Sequence, residues 1–124
     1  MYDKELTIDI LMQIAAASET VLDRFEPVSC AADFTDSPRG MEKLDSICML
    51  LIAIGEGLKK VDTITNGNLL EKYPDIDWKG AKGLRDIITH HYFDVDAEEI
   101  FWVCEKHLPS LKNAVEIIIR RLKE

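Results

Sequence analysis

Between Pro38 and Thr65 runs a long stretch without an internal proline, in which Leu44, Ile47, Cys48, Leu51, Ile54, Leu58 and Val61 recur at steps of three and four. That period puts them on one face of an α-helix. Asp36 or Ser37 suits the N-cap, and Pro38 suits the first turn. Met49, Leu50 and Ile52 are apolar as well, so the segment from Ile47 to Ile54 is apolar nearly all round. A surface helix in a small domain has a single apolar face, so this one should be covered on a second side. The simplest cover is a second copy of the chain, with Leu50 at the interface; the alternative is a helix central to the monomer's own core. Gly55 and Gly57 lie inside this helix at a cost of roughly 1 kcal/mol each relative to alanine. Close approach of another backbone or of a ligand would explain them.

The remainder follows the same period. Residues 4 to 26 are expected as a first helix, with Leu6, Ile10, Ile14, Val21, Leu22 and Phe25 at helical steps and Pro27 ending it. Its polar face carries Asp9, Glu19 and Asp23 rather than a basic strip, which argues against a membrane-surface helix. Residues 27 to 36 read as a connection. Asn66-Gly67 marks a turn, Leu69 to Tyr73 a short helical turn, and Pro74 a stop. Asp77 can cap the next helix, which buries Trp78, Ala81, Leu84, Ile87 and Ile88. Asp96 and Glu99 repeat the capping-box spacing and open a fourth helix. Pro109 fits the first turn of a fifth, whose stripe is Leu108, Leu111, Val115, Ile118, Ile119 and Leu122. No stretch alternates long enough to suggest a strand. The expectation is one all-α domain over residues 1–124, an up-down bundle of four long or medium helices plus a short one, homodimeric.

Composition narrows the function. The 124 residues carry a net charge of −8, with 15 Lys and Arg against 23 Asp and Glu. A general nucleic-acid coat or an acidic-membrane binder would be basic. A cutting site with a local positive field is not excluded, because Lys79, Lys82 and Arg85 face only Asp86 between Trp78 and Tyr92. Three cysteines, Cys30, Cys48 and Cys104, form neither a Cys-x-x-Cys pattern nor a disulfide framework. Reduced thiols in a cytoplasm fit that usage. The start lacks a signal-like apolar core, and no apolar run reaches the ~18 residues of a membrane span.

Polar chemistry concentrates at Arg85, Asp86, Thr89, His90, His91 and Tyr92. On a helix, Asp86 and His90 share a face, so the carboxylate could fix the ring's tautomer. Arg85 and His90 point roughly 140° apart, and long side chains could still converge where the helix ends. Imidazole exchanges protons near neutral pH, and guanidinium fits a phosphate bidentately. A base that activates a ribose 2′-OH, with a clamp on the phosphate, is enough to cleave RNA without metal. An ordinary helix end, with His at the negative pole and Arg and Asp facing water, uses the same residues. His90, His91, Asp94 and Asp96 make a poor metal set, because they straddle a helix terminus and Asp96 serves as a cap. Cys104 and His107 lack the third group of a nucleophilic site. No phosphate-cradling glycine loop occurs.

Gly83-Leu84-Arg85-Asp86 followed by His90-His91-Tyr92 resembles the signature of the HepT-like family within the HEPN superfamily: Arg, a polar residue, three more, His, any residue, Tyr. Ile54-Gly55-Glu56 resembles the family's Ile-Gly-Glu, and Tyr73-Pro74-Asp75-Ile76-Asp77-Trp78 its Tyr-Pro-x-Ile-x-Trp. Phe101-Trp102 with Leu108-Pro109 resembles its closing helices, so the resemblance covers roughly residues 45 to 111. It implies the toxin component of a HepT/MntA-type (type VII) toxin–antitoxin pair. Such a protein is a metal-independent endoribonuclease acting on tRNA or mRNA, with no cofactor. Its partner would be an MNT-type nucleotidyltransferase antitoxin that silences it by transferring AMP to Tyr92. On this resemblance His90 is the general acid/base, Arg85 the phosphate clamp and Asp86 the supporting polar residue. Asp86 departs from the Asn of many relatives. The competing expectation is a non-catalytic helical dimer that binds a nucleotide or docks a nucleotidyltransferase.

Overall fold

The structure, a computed structural model, describes residues 2–91 and 93–124. Among the described residues six α-helices follow in order: α1 Lys4–Phe25, α2 Ala32–Thr35, α3 Pro38–Thr65, α4 Trp78–His90, α5 Ala97–Trp102 and α6 Leu108–Lys123. A 3₁₀ turn, Leu70–Lys72, precedes α4, and a π turn, Val103–His107, joins α5 to α6. No strand occurs among the described residues. The all-α bundle expected from periodicity is therefore present, with α2 as an extra turn inside the connection between α1 and α3.

Capping residues set the boundaries. Asp3 accepts from the Leu6 amide at 3.0 Å, Ser37 from Gly40 at 3.0 Å, Asp77 from Gly80 at 2.9 Å, and Asp96 from Glu98 and Glu99 at 3.0 and 3.3 Å. Each bond satisfies an amide that the helix itself leaves orphaned. Helix α3 ends at Asn66, in the left-handed region with φ 54°, followed by Gly67 at φ 73°. Both residue types tolerate that conformation better than others do.

Two long antiparallel contacts organise the packing. Gly57 lies under Ile14, and Lys43 donates to the Arg24 carbonyl at 2.8 Å, so α1 and α3 run in opposite directions. Asp62 pairs with Lys82 and Glu56 with Arg85, so α4 turns back along α3. Helix α6 closes the bundle against α1. The core holds Leu11, Ile47, Leu51, Leu58, Val61 and Ile118, all fully buried. Phe34 of α2 is also fully buried, and Phe25 bridges Phe34 at 6.4 Å and Phe101 at 5.0 Å between ring centroids. Thr7, Ser18 and Thr65 are buried, with each hydroxyl donating at 2.8 Å to the carbonyl four residues earlier, so no hydroxyl is stranded.

Gly55 and Gly57, in the middle of α3, mark close contacts. A Cβ on Gly55 would sit 2.9 Å from the Ala81 carbonyl oxygen of α4, and one on Gly57 2.8 Å from Ile14 Cγ1 of α1. Another backbone therefore explains Gly55, while a side chain explains Gly57.

Three details differ from the sequence expectation. Leu6 is exposed, and the inward face of α1 is Thr7, Leu11, Ile14, Ser18 and Val21. Ile87, assigned to the buried side of α4, is 42% exposed. The reason is that α4 packs chiefly on α3 and has no comparable contact with α6, so its far flank stays open. The fourth and fifth helices are joined end to end by the π turn, in which the Leu108 amide bonds back to the Val103 carbonyl. Pro109 has no N–H to give Glu105 and its ring would crowd that carbonyl, so the helix widens just before it.

Candidate functional site

Helix α4 is presented by its cap and by its floor. Asp77 starts it, Trp78, Leu84 and Ile88 bury its inner side, and Gly55 lets it approach α3 closely. The Trp78 indole donates to the Tyr73 carbonyl at 2.9 Å, which ties the helix start to the preceding loop. Arg121 of α6 fastens the same loop from the other side. Its guanidinium donates to the Tyr73 hydroxyl at 3.2 Å and lies 5.4 Å from the ring centroid.

Arg85, Asp86 and His90 all stand on the exposed side of α4, and His90 is its last residue. Arg85 Nε lies 3.2 Å from Glu56 Oε1, and Arg85 Nη1 lies 3.5 Å from Asp86 Oδ1. Glu56 Oε1 also faces Lys59 Nζ at 3.6 Å, although neither approach has hydrogen-bond geometry. Asp86 thus contacts the arginine. Among the described residues no hydrogen bond joins it to His90, and none joins Arg85 to His90. Thr89 turns its hydroxyl back to the Arg85 carbonyl at 2.8 Å. His91 Nδ1 lies 3.5 Å from Asp94 Oδ1. Tyr92, expected as the AMP acceptor, lies outside the described residues.

The local charge is more balanced than the α4 sequence suggests. Lys82 is taken by Asp62, and Arg85 is shared by Glu56 and Asp86, leaving Lys79 as the α4 cation outside these pairs among the described residues. Asp62 and Glu56 come from α3, where helix pairing across 20 or more positions hid them from a reading of α4 alone. The sequence leaves Glu56 open between supporting the Arg85–His90 pair and facing water, and it pairs with Arg85. Its signal was the flanking pair Gly55 and Gly57, which marks where α3 meets its neighbours.

These ion pairs are weak locks. The Arg85 side chain is 50% exposed and that of Glu56 43%. Pairs this wet contribute about 0–1 kcal/mol, so an incoming anion can displace the carboxylates. Elsewhere, burial pushes the Cys48 thiol up to about 11, with Asp45 adding to it, and the Cys104 thiol up to about 12, with Cys48 adding to it. Neither is poised as a nucleophile. No three His, Cys, Asp or Glu side chains converge as a metal-binding group among the described residues. Among the described residues no helix is long and apolar enough to cross a membrane.

Comparison with known proteins supplies the family. Residues 14–118 match the family described as ribonuclease HepT-like. A presumed RNase of Methanocaldococcus jannaschii is 34% identical over 79 residues, 64% of this chain and 65% of that protein. A second presumed RNase of the same organism is 32% identical over 73 residues, covering 59% and 63%. The chain thus spans just under two thirds of the length of these relatives. The probable ribonuclease HepT of Thermococcus cleftensis is 28% identical over 108 residues, 87% of this chain and 91% of that one. No solved structure matches the chain. With the family match running over nearly the whole bundle, α4 and its Arg85-to-His90 segment included, the chain belongs to the ribonuclease HepT-like family.

Proposed function

We propose that this chain is an endoribonuclease that cleaves RNA without a metal ion, with His90 as general acid/base and Arg85 holding the scissile phosphate. The observation that carries this reading is the family match over residues 14–118, which contains both side chains, on an exposed helix end. In the reaction His90 accepts the proton of a ribose 2′-OH, and the freed oxygen attacks the adjacent phosphorus. The bond to the 5′-oxygen breaks, and that oxygen takes up a proton. The products are a 2′,3′-cyclic phosphate and a 5′-hydroxyl. Arg85 spans two phosphate oxygens, whose charge grows toward the transition state. Glu56 and Asp86 yield the guanidinium at that stage, because a phosphorane gaining charge outcompetes two half-exposed carboxylates.

The same reading makes the chain the toxin of a HepT/MntA-type pair, acting on tRNA or mRNA in a cytoplasm. The three free cysteines suit that compartment. Its antitoxin is an MNT-type nucleotidyltransferase that adds AMP to Tyr92, two positions beyond His90, bringing bulk and negative charge beside the phosphate site. Its homodimer uses the outer face of α3. There Met49 is 66% exposed, Ala53 is exposed and Leu50 is half-buried, an apolar strip that a second copy would cover.

The carboxylates on Arg85 favour one competing reading, a non-catalytic module that docks a nucleotide or a nucleotidyltransferase. Labelled RNA incubated with the protein in EDTA separates the two. Cleavage by the wild type that is lost in His90→Ala and in Arg85→Ala supports the ribonuclease. Intact RNA with the folded wild type leaves the docking module.

A further inference from the structure

We infer that the open flank of α4 is a docking groove for a cationic amphipathic helix of about three turns, belonging to a partner protein. The inference does not depend on RNA cleavage. Because α4 leans on α3 and not on α6, two cavities open along that flank, of ≈ 190 and ≈ 330 Å³, and they share Ile87 and Glu99. Together they run from Gly80, near the start of α4, to His91, just past its end. At 1.5 Å per residue that is roughly 16 Å, the length of an eleven-residue helix.

The floor is apolar, with Leu51, Ile54 and Leu84 beneath and Ile87 and Trp102 on the walls. Ile87 is 42% and Trp102 53% exposed, unusual for large apolar side chains at one cleft. The rim has a single sign. Asp75, Asp77, Asp94, Asp96 and Glu99 line it, and no lysine or arginine does so among the described residues. RNA is repelled by such a rim, and a second copy of the same groove would face its own charge. A helix with leucine-like residues on one face and lysine or arginine beside them matches both floor and rim.

One polar group of the groove wall is unsatisfied. His107 Nε2 is buried without a hydrogen-bond partner, and the residue lines the same groove. Buried polar atoms in folded proteins are normally satisfied, so this ring nitrogen is an exception beneath the groove wall. The π turn forced by Pro109 brings this histidine edge-on to Trp102, with ring centroids 4.2 Å apart.

The test uses a defined probe on the whole chain: an eleven-residue helical peptide of leucine and lysine, with leucines at i, i+3, i+4 and i+7, and its leucine–glutamate counterpart. Binding is followed by calorimetry and by the two indole N–H signals in NMR. The expected result is saturable 1:1 binding of the lysine peptide. The Trp102 signal should move while the buried Trp78 signal stays, and the glutamate peptide should not bind. The double variant Asp75→Asn/Glu99→Gln removes two rim charges at unchanged side-chain shape, and glutamine still suits the capping-box position at 99, so it should melt like the wild type and weaken binding at least tenfold. The inference is overturned if the lysine peptide fails to bind, shifts other signals, or binds the double variant equally well. It is also overturned if the Trp102 indole of the peptide-free protein is covered in a concentration-dependent way, which would assign the groove to self-association.

Discussion

Gly55 and Gly57 offer a matched test of how α4 is held. Replacing either with alanine removes the same backbone entropy from the unfolded chain and adds about 1 kcal/mol of helix preference. The two differ in what the new methyl meets. At Gly55 it sits 2.9 Å from the Ala81 carbonyl oxygen and 3.4 Å from that of Lys82, both backbone atoms of a packed helix. Relief demands that α4 move outward by roughly half an ångström. Overpacking of this kind costs about 1–3 kcal/mol, which outweighs the propensity gain. At Gly57 the methyl meets Cγ1 and Cδ1 of the buried Ile14 side chain at 2.8 and 3.0 Å, so one side chain and not a helix backbone has to shift, at a cost of about the propensity gain. The expected outcome is a Gly55→Ala variant destabilised by about 1 kcal/mol and a Gly57→Ala variant near the wild type. In a domain of this size that separates their melting midpoints by about 4 °C. Urea and thermal unfolding of the three proteins under one buffer read it directly. A Gly55→Ala variant as stable as Gly57→Ala, or more so, would refute the argument that α4 rests on α3 by backbone contact.

Three further outcomes are expected. Glu56→Gln frees Arg85 of one competing carboxylate, and since a half-exposed pair is worth about 0–1 kcal/mol, KM for RNA should fall by up to about fivefold with kcat little changed; an unchanged or higher KM would show that the ion pair organises the arginine rather than competing for it. Cys48 and Cys104 keep their protons in the folded chain well above the ordinary thiol value of 9.0, so the unfolded state alone loses them first as pH rises. Stability is therefore full below about pH 9 and falls toward pH 11–12, and a thiol reagent at pH 8 should titrate Cys30 quickly and the other two only on unfolding; three equally fast thiols would contradict the burial. Trp78→Phe keeps most of the ring volume but loses the donor to the Tyr73 carbonyl, which should cost about 1 kcal/mol in urea unfolding beyond the volume change.

What the sequence disclosed is what local patterns can carry. Ser37, Asp77 and Asp96 were legible as caps because the cap and the amide it serves lie within three residues. The inward faces of α3 and α6 were legible because periodicity survives without knowledge of the partner helix. The exposure of Leu6 and Ile87 was not, since it depends on how far a neighbour extends: nothing in α4 itself announces that α6 stays clear of it. Phe34 was hidden for a similar reason. A lone aromatic in a ten-residue connection has no period, and only the docking of α2 on α3 buries it.

The candidate site divides along the same line. Arg85 and His90 were found through spacing and through resemblance to a family that the comparisons then supported. Asp62 was not legible as a partner of α4, and Glu56 stayed open between supporting the Arg85–His90 pair and facing water, because those contacts span 20 and 29 positions and follow from the antiparallel packing of two helices. Glycine at position 55 was the trace of that packing in the sequence. The π turn at Val103–His107 was likewise foreshadowed only by Pro109, which suits the first turn of a helix without announcing its effect on the turn before it.

The most direct measurement of the central claim is the chemistry of the RNA ends left by the purified wild-type chain in excess EDTA. Imidazole-driven attack by the ribose 2′-oxygen requires a 2′,3′-cyclic phosphate on one fragment and a 5′-hydroxyl on the other, and requires that a 2′-deoxy substitution at the cut site block the reaction. Fragments ending in 3′-hydroxyl and 5′-phosphate, or cutting that persists through the 2′-deoxy position, would contradict a site built from His90 and Arg85.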